Sequence, residues 1–207
     1  MLELFERAGI MMYPLVLASL IAVAFIIERA ISLRKRKILI PEIISVVNNF
    51  SSLKDIDLAR TICDKYDGPL SNVIKLGLHN YTLPKAEIKE ILEDQGRQET
   101  RKLERGLVVL ETIAAIAPLL GLLGTVLGMV EVFEVIKDQG IGQTAALSGG
   151  ISQALLTTVA GLFIGIPVLI AYNYFTNKSE GLVLDIEKNT NDLVNKIVRL
   201  NSESENK

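Results

Sequence analysis

Three stretches of this sequence carry no charged side chain: Ala8 to Ile27 (20 residues), Thr112 to Val130 (19) and Gln139 to Asn177 (39). A chain that clears its charges from segments long enough to cross a bilayer reads as a polytopic membrane protein, not as a water-soluble globule. The composition agrees: 49% of residues are hydrophobic, 22% are charged, and mean hydropathy is +0.36. A formal net charge of -2 offers no basic excess for a nucleic-acid partner. One Cys and one His exclude a disulfide framework and an intrachain Cys/His metal cluster, and no cofactor is implied.

The first apolar segment, Ile10 to Ile27, gives about 27 Å of helix at ~1.5 Å per residue, just enough to span. Its basic cluster, Arg34 to Lys37, follows the apolar stretch instead of preceding it, which argues against a signal peptide and for a cytoplasmic carboxyl end. The second segment, Gly106 to about Val135, is entered through Arg97, Arg101, Lys102 and Arg105; the third lies within Ile151 to Phe175 and is followed by Lys178. Residues 28 to 105 hold 15 basic and 12 acidic groups, whereas Glu131, Glu134, Lys137 and Asp138 edge a connection of about 10–14 residues centred on Lys137 to Gly150. The positive-inside rule then puts the amino terminus outside and the carboxyl terminus in the cytoplasm. Four regions result: 1–33 with the first span, 34–105 as a cytoplasmic helical domain, 106–176 with spans two and three, and 177–207 as a cytoplasmic helix and tail.

Within the cytoplasmic part, Ile43, Ile44, Val46, Val47 and Phe50 form one apolar set, and Leu58, Ile62 and Tyr66 recur at four-residue spacing on a following helix. Gly68-Pro69 and Leu83-Pro84 punctuate the region, with Pro84 as a first helical residue and Thr82 as a cap. From Lys85 no proline occurs until Pro118, and Ile88, Ile91, Leu92, Gln95, Glu99, Leu103 and Leu107 keep helical steps. One continuous helix of roughly 75 Å from Lys85 to Val135 is expected, entering the membrane from the cytoplasm. Leu182, Leu184, Ile186, Leu193, Val194, Ile197 and Val198 extend the third span similarly, and Asn201 to Lys207 read as a frayed end.

Segment two holds Pro118, Gly121, Gly124, Thr125 and Gly128; segment three holds Gly149, Gly150, Gln153, Thr157, Thr158, Gly161, Gly165 and Pro167. Glycines three or four residues apart let helix backbones approach in lipid, where packing has to supply the association energy, so Gly121, Gly124, Gly128, Gly161 and Gly165 read as packing positions. Pro118 and Pro167 shape their helices. An amide such as Gln153 needs protein or water for a partner. No ionisable residue lies in the middle of a span, so a proton crossing here requires a carboxylate supplied by a partner. Weakly polar Gly/Thr helices suit a pore wall that holds a foreign helix.

Three stretches now identify a resemblance: Met12 to Arg29 (MYPLVLASLIAVAFIIER), Ala117 to Phe133 (APLLGLLGTVLGMVEVF) and Gly149 to Phe175 (GGISQALLTTVAGLFIGIPVLIAYNYF). In these motifs and their order the chain resembles the TolQ/ExbB/MotA family of bacterial proton-channel and motor stator subunits, and within it the ExbB-like biopolymer transport proteins. The resemblance implies an all-α membrane protein of the inner membrane, with three transmembrane helices and a pentameric ring. It implies no enzymatic activity and no metal or organic cofactor. Helices two and three of such rings enclose an ExbD/TolR-like single-span dimer that carries a titrating aspartate, coupled to a TonB-like or TolA-like transducer. The pore threonines fall on Thr125 and Thr158. Where many relatives carry a glutamate in helix three, this chain has Gln153, which hydrogen-bonds but does not titrate. The implied function is proton-driven energisation of TonB-dependent transport across the outer membrane. A TolQ-like role in envelope integrity and division is the alternative, and a non-conducting scaffold is the alternative from another class. A flagellar stator fits less well, having typically four membrane segments, and a small-solute transporter would show inverted repeats or broken midplane helices.

Overall fold

The computed structural model describes residues 10–140 and 144–205, and every regular element among them is helical. In chain order these are α1 (Met12–Ser32), α2 (Lys35–Ile38), α3 (Pro41–Asn49), a 3₁₀ turn (Leu53–Asp55), α4 (Ile56–Lys65), α5 (Pro69–His79), α6 (Lys85–Glu104), α7 (Leu107–Gln139) and α8 (Thr144–Glu205). Three of them, α1, α7 and α8, are long and apolar enough to cross a membrane. The chain divides into two compact units: residues up to Arg29 with Gly106–Tyr174, and Ala30–Arg105 with the residues from Phe175 onward.

The first unit contains the apolar helices. In α1, Leu15, Ala22 and Arg29 are buried while Tyr13, Leu17, Leu20, Val23 and Ile27 stay exposed, an apolar surface suited to lipid. The helical pattern entering the second span is not continuous. α6 ends at Glu104, and Gly106 takes a left-handed backbone (φ +91) before α7 begins. That left-handed conformation favours glycine, and a Cβ there would lie in tight contact with the Phe25 ring, at 3.1 Å. The expected single helix from Lys85 to Val135 is therefore two helices. At its far end α7 continues past Val135 to Gln139, where Gly140 (φ +76) closes it by donating its N–H to the Ile136 carbonyl at 2.9 Å. Since α8 starts at Thr144, the stretch expected as a connection is mostly helix; Glu131, Glu134 and Asp138 project from helical backbone.

The second unit packs α3 to α6 with the later part of α8. Ile43, Val47, Leu70, Ile74, Leu78, Ile88, Leu193 and Ile197 form its core. On α4 the buried face is Ile56, Ala59 and Cys63, not the stripe of Leu58, Ile62 and Tyr66; Leu58 is 64% exposed. The Ser71 hydroxyl donates to the Cys63 carbonyl at 2.9 Å and fixes that face against α5. Pro84 immediately precedes α6, whose first turn has no side-chain cap, so Thr82 does not act as one. The segment expected to fray is helical to Glu205, and Asn201 Nδ2 donates to the Tyr81 carbonyl at 2.7 Å. Lys196 caps the end of α3, its ammonium donating to the Val47 and Asn48 carbonyls at 2.8 and 2.7 Å.

Glu99, 2% exposed on α6, is a carboxylate inside this unit. Its Oε1 accepts from Asn72 Nδ2 at 3.1 Å, Gln95 Nε2 at 2.9 Å and Lys102 Nζ at 2.8 Å, the partners a buried charge requires. Burial, reinforced by neighbouring Asp64, pushes the Cys63 thiol up to about 11. Asp64 is itself held below its ordinary value by hydrogen bonding to Lys75, which is raised by the same contact.

Candidate functional site

The small and polar residues of the spans lie on α7 and α8, and their pairing sets the chemistry available. A Cβ built on Gly165 would lie 2.8 Å from Pro118 Cγ and 3.3 Å from the Ala114 carbonyl, the acceptor that Pro118, lacking an N–H, leaves without its helical donor. On Gly161 it would lie 2.5 Å from the Ala117 carbonyl and 3.0 Å from Gly121 Cα. Gly121 faces the Thr157 carbonyl at 2.9 Å, Gly124 the Thr157 Cβ at 2.6 Å, Gly128 the Ala154 Cβ at 2.9 Å and Gly150 the Val132 Cγ2 at 2.5 Å, measured from the same constructed atom. Most of these spacings are closer than a side chain tolerates. The two helices therefore approach along a seam that only glycine permits, alternating with the small residues Ala117, Ala154 and Thr157.

Ala117, Ala154 and Thr157 belong to the seam as much as the glycines do, and all three are buried. Scanning for glycine alone misses them. The signal that finds them is small-xxx-small spacing, seen in Ala117 with Gly121 and in Gly150 with Ala154. Pro167 lies within α8, which continues through it.

The hydroxyls divide by partner. Thr157 donates to the Ala154 carbonyl in its own helix at 2.7 Å, and Thr125 to Leu122 at 2.6 Å. Thr158 instead bridges the helices, donating to the Gly121 carbonyl at 3.0 Å. Thr125 and Thr158 are half-buried, as is Gln153, one residue before the buried Ala154. With its proton committed to a carbonyl, each of these hydroxyls offers only lone pairs to anything approaching from outside. In this arrangement it accepts from a protonated carboxylic acid; to donate to a carboxylate it must first rotate off its carbonyl. No acid lies on α7 between Glu111 and Glu131, and α8 has none before Glu180. The pair can therefore solvate a proton carrier but does not contain one.

The sequence from residue 65 to 188 matches the MotA/TolQ/ExbB proton channel family. The chain is 30% identical over 191 residues to a biopolymer transport protein ExbB homologue of Methanothermobacter thermautotrophicus, covering 90% of this chain and 66% of that protein. It is 31% identical over 141 residues to the biopolymer transport protein ExbB of Neisseria gonorrhoeae, covering 61% of this chain and 64% of that one. An ExbB-like biopolymer transport protein of a Synechocystis strain is 33% identical over 177 residues, covering 81% and 80%. The chain thus spans about two thirds of the first two relatives. A family match over more than half the chain, on the helices that form the glycine seam, establishes that this is a non-enzymatic membrane protein of the MotA/TolQ/ExbB proton-channel family, with ExbB-like transport proteins among its relatives.

Proposed function

We propose that the protein is the ring-forming subunit of a proton-motive-force-driven complex of the inner membrane. Copies of it, five by family resemblance, surround the single-span helices of an ExbD/TolR-like dimer and energise a TonB-like transducer for transport across the outer membrane. The observation that carries the reading is the combination of a proton-channel family match with spans whose middles hold no titratable group. The carrier must then be a partner's carboxylate, and this chain's task is to make its cycle affordable in lipid. Moving one proton down ~100 mV releases about 2.3 kcal/mol. An anion between apolar helices is costly, so hydroxyls and entering water have to offset part of that cost.

Thr125 and Thr158 are assigned to this role, with Gln153 as a hydrogen-bonding, non-titrating member of the pathway. In the bonded rotamer their oxygens accept from the neutral acid; rotation turns the same hydroxyls toward the anion. In the proposed orientation the amino terminus is periplasmic and the carboxyl terminus cytoplasmic, with residues 34–105 and 177–207 on the cytoplasmic side. The test is proton flux into liposomes holding the protein with and without the ExbD-like subunit, under an imposed potential. Flux that requires both chains supports the assignment. Flux from this chain alone, or none from the co-purified complex, refutes it.

A further inference from the structure

We propose that Arg34, Arg36 and Lys37 form a binding site for the headgroup of an anionic phospholipid. The residues lie between two and five positions beyond Ser32, the last residue of α1, so the chain places them within about 7–17 Å of the end of that span. This rests on α1 spanning the bilayer and not on which side its end emerges.

Charge in the sequence alone would serve orientation; a site needs charge that is displayed, held and unspent. All four residues from Arg34 to Lys37 are exposed. The residues on both sides of them are core: Leu33 is 0% exposed and Ile38 2%, followed by buried Leu39 and Ile40. The run is therefore pinned at both ends. The turn is also packed from behind, where a Cβ on Gly68 would lie 3.1 Å from the Lys37 carbonyl and 3.2 Å from Ile40 Cδ1. Of the four cations, Lys35 is paired with Asp185 at 3.1 Å. Arg34, Arg36 and Lys37 make no ion pair among the described residues.

A phosphodiester at the bilayer surface supplies the missing anion. Guanidinium groups bind phosphate oxygens in a bidentate fork, and two of the three free cations are arginines. Each cation near an anionic surface is worth about a fivefold gain in binding, so three acting together give roughly a hundredfold preference for anionic over zwitterionic lipid.

The test reconstitutes the full-length protein in an equimolar mixture of phosphatidylglycerol and phosphatidylcholine and measures retained lipid by native mass spectrometry. The triple variant Arg34→Gln/Arg36→Gln/Lys37→Gln is compared with Lys188→Gln/Arg199→Gln, which removes two exposed cations of α8. Loss of most of the phosphatidylglycerol preference in the first variant alone supports the site. Equal loss in both, or no loss in either, overturns it. Inorganic phosphate added at the same anion concentration should not displace the lipid; if it does, the cluster takes free phosphate and the lipid assignment is wrong. Because the cluster also influences insertion, Arg36→Cys carrying a fluorophore provides a second reading. Quenching by labelled phosphatidylglycerol should exceed quenching by equally labelled phosphatidylcholine, and equal quenching overturns the proposal.

Discussion

The seam between α7 and α8 predicts that one substitution will have opposite signs at two glycines of the same helix. A Cβ at Gly161 would lie 2.5 Å from the Ala117 carbonyl oxygen and 3.0 Å from Gly121 Cα, whereas at Gly181 nothing lies within 4 Å. Both glycines are within α8, so Gly→Ala gains about 1 kcal/mol of helix propensity at each. At Gly181 that gain stands alone, and Gly181→Ala should stabilise by up to that amount. At Gly161 the new methyl meets backbone, which has no rotamer to yield. Carbon and oxygen in close contact settle near 3.3 Å, so the helices must part by close to an ångström.

Overpacking of this kind costs about 1–3 kcal/mol. Separation also stretches the Thr158 to Gly121 bond, and such intramembrane bonds average about 0.6 kcal/mol. Set against the propensity gain, Gly161→Ala should destabilise by about 0.5–2.5 kcal/mol, and Gly161→Val by more. Reversible unfolding of the purified protein in mixed micelles, followed by helical circular dichroism, measures both signs in one protein. A Gly161→Ala variant as stable as Gly181→Ala would show that the seam is not closely packed.

Four further outcomes are expected. Thr125→Val should keep helix packing and lower partner-dependent proton flux, because its hydroxyl bonds only its own helix; Thr158→Val should lower flux and also cost about 0.6 kcal/mol of stability through the lost bridge to Gly121, both read by flux and unfolding at matched protein levels. Glu99→Gln keeps one oxygen to accept from Asn72, Gln95 and Lys102 but removes the charge that strengthens those bonds, so the second unit should lose about 1 kcal/mol, measured by denaturant unfolding. Cys63 should react slowly with alkylating reagents at neutral pH; with its folded value raised to about 11, its contribution to stability is present below the unfolded value and is lost as the pH rises through about 11, while the depressed Asp64 contribution is present at neutral pH and lost on acidification below the usual carboxylate range. Because Cys63 is buried, Asp138→Cys and Lys54→Cys can be read without background: an impermeant thiol reagent added outside should label the first and not the second, and the reverse would overturn the proposed orientation.

The three apolar spans were legible because lipid imposes a one-dimensional rule: long, uncharged and helical. The face of α6 carrying Ile88, Leu92, Glu99 and Leu103 was legible too, since it is the single periodic apolar line on a charged helix. On α4 the periodic line misled. That short helix has two apolar stripes, and the choice between Leu58-Ile62-Tyr66 and Ile56-Ala59-Cys63 was made by α5, through the Ser71 bond to the Cys63 carbonyl. Such a choice is tertiary and leaves no local mark. The break at Gly106 was hidden for a related reason. A glycine inside a helical pattern costs only about 1 kcal/mol and so is a weak stop signal, and the left-handed backbone that Gly106 adopts leaves no mark in the sequence.

The seam also changes what the glycines can be asked to explain. In the sequence they suggest helices built for neighbours, which leaves open whether the neighbour is another copy. In the structure Gly121, Gly124, Gly128, Gly161 and Gly165 are spent on contacts between α7 and α8 of one chain. The proposed ring of copies would then be assembled from other faces. Those available are broad and apolar: Leu119, Leu122, Val126 and Phe133 on α7, and Leu155, Val159, Leu162 and Ile166 on α8, all exposed. Lipid rewards no such surface for leaving it, so subunits meeting there gain only from shape, whereas the seam inside each subunit gains from backbone proximity. The two interfaces should therefore separate under detergent. Increasing detergent strength should dissolve the proposed oligomer into monomers that keep full helicity before it unfolds them, as followed by native mass and circular dichroism on the same samples. Loss of helicity in step with loss of mass would mean that the α7–α8 seam depends on neighbouring copies and is not the autonomous unit its contacts describe.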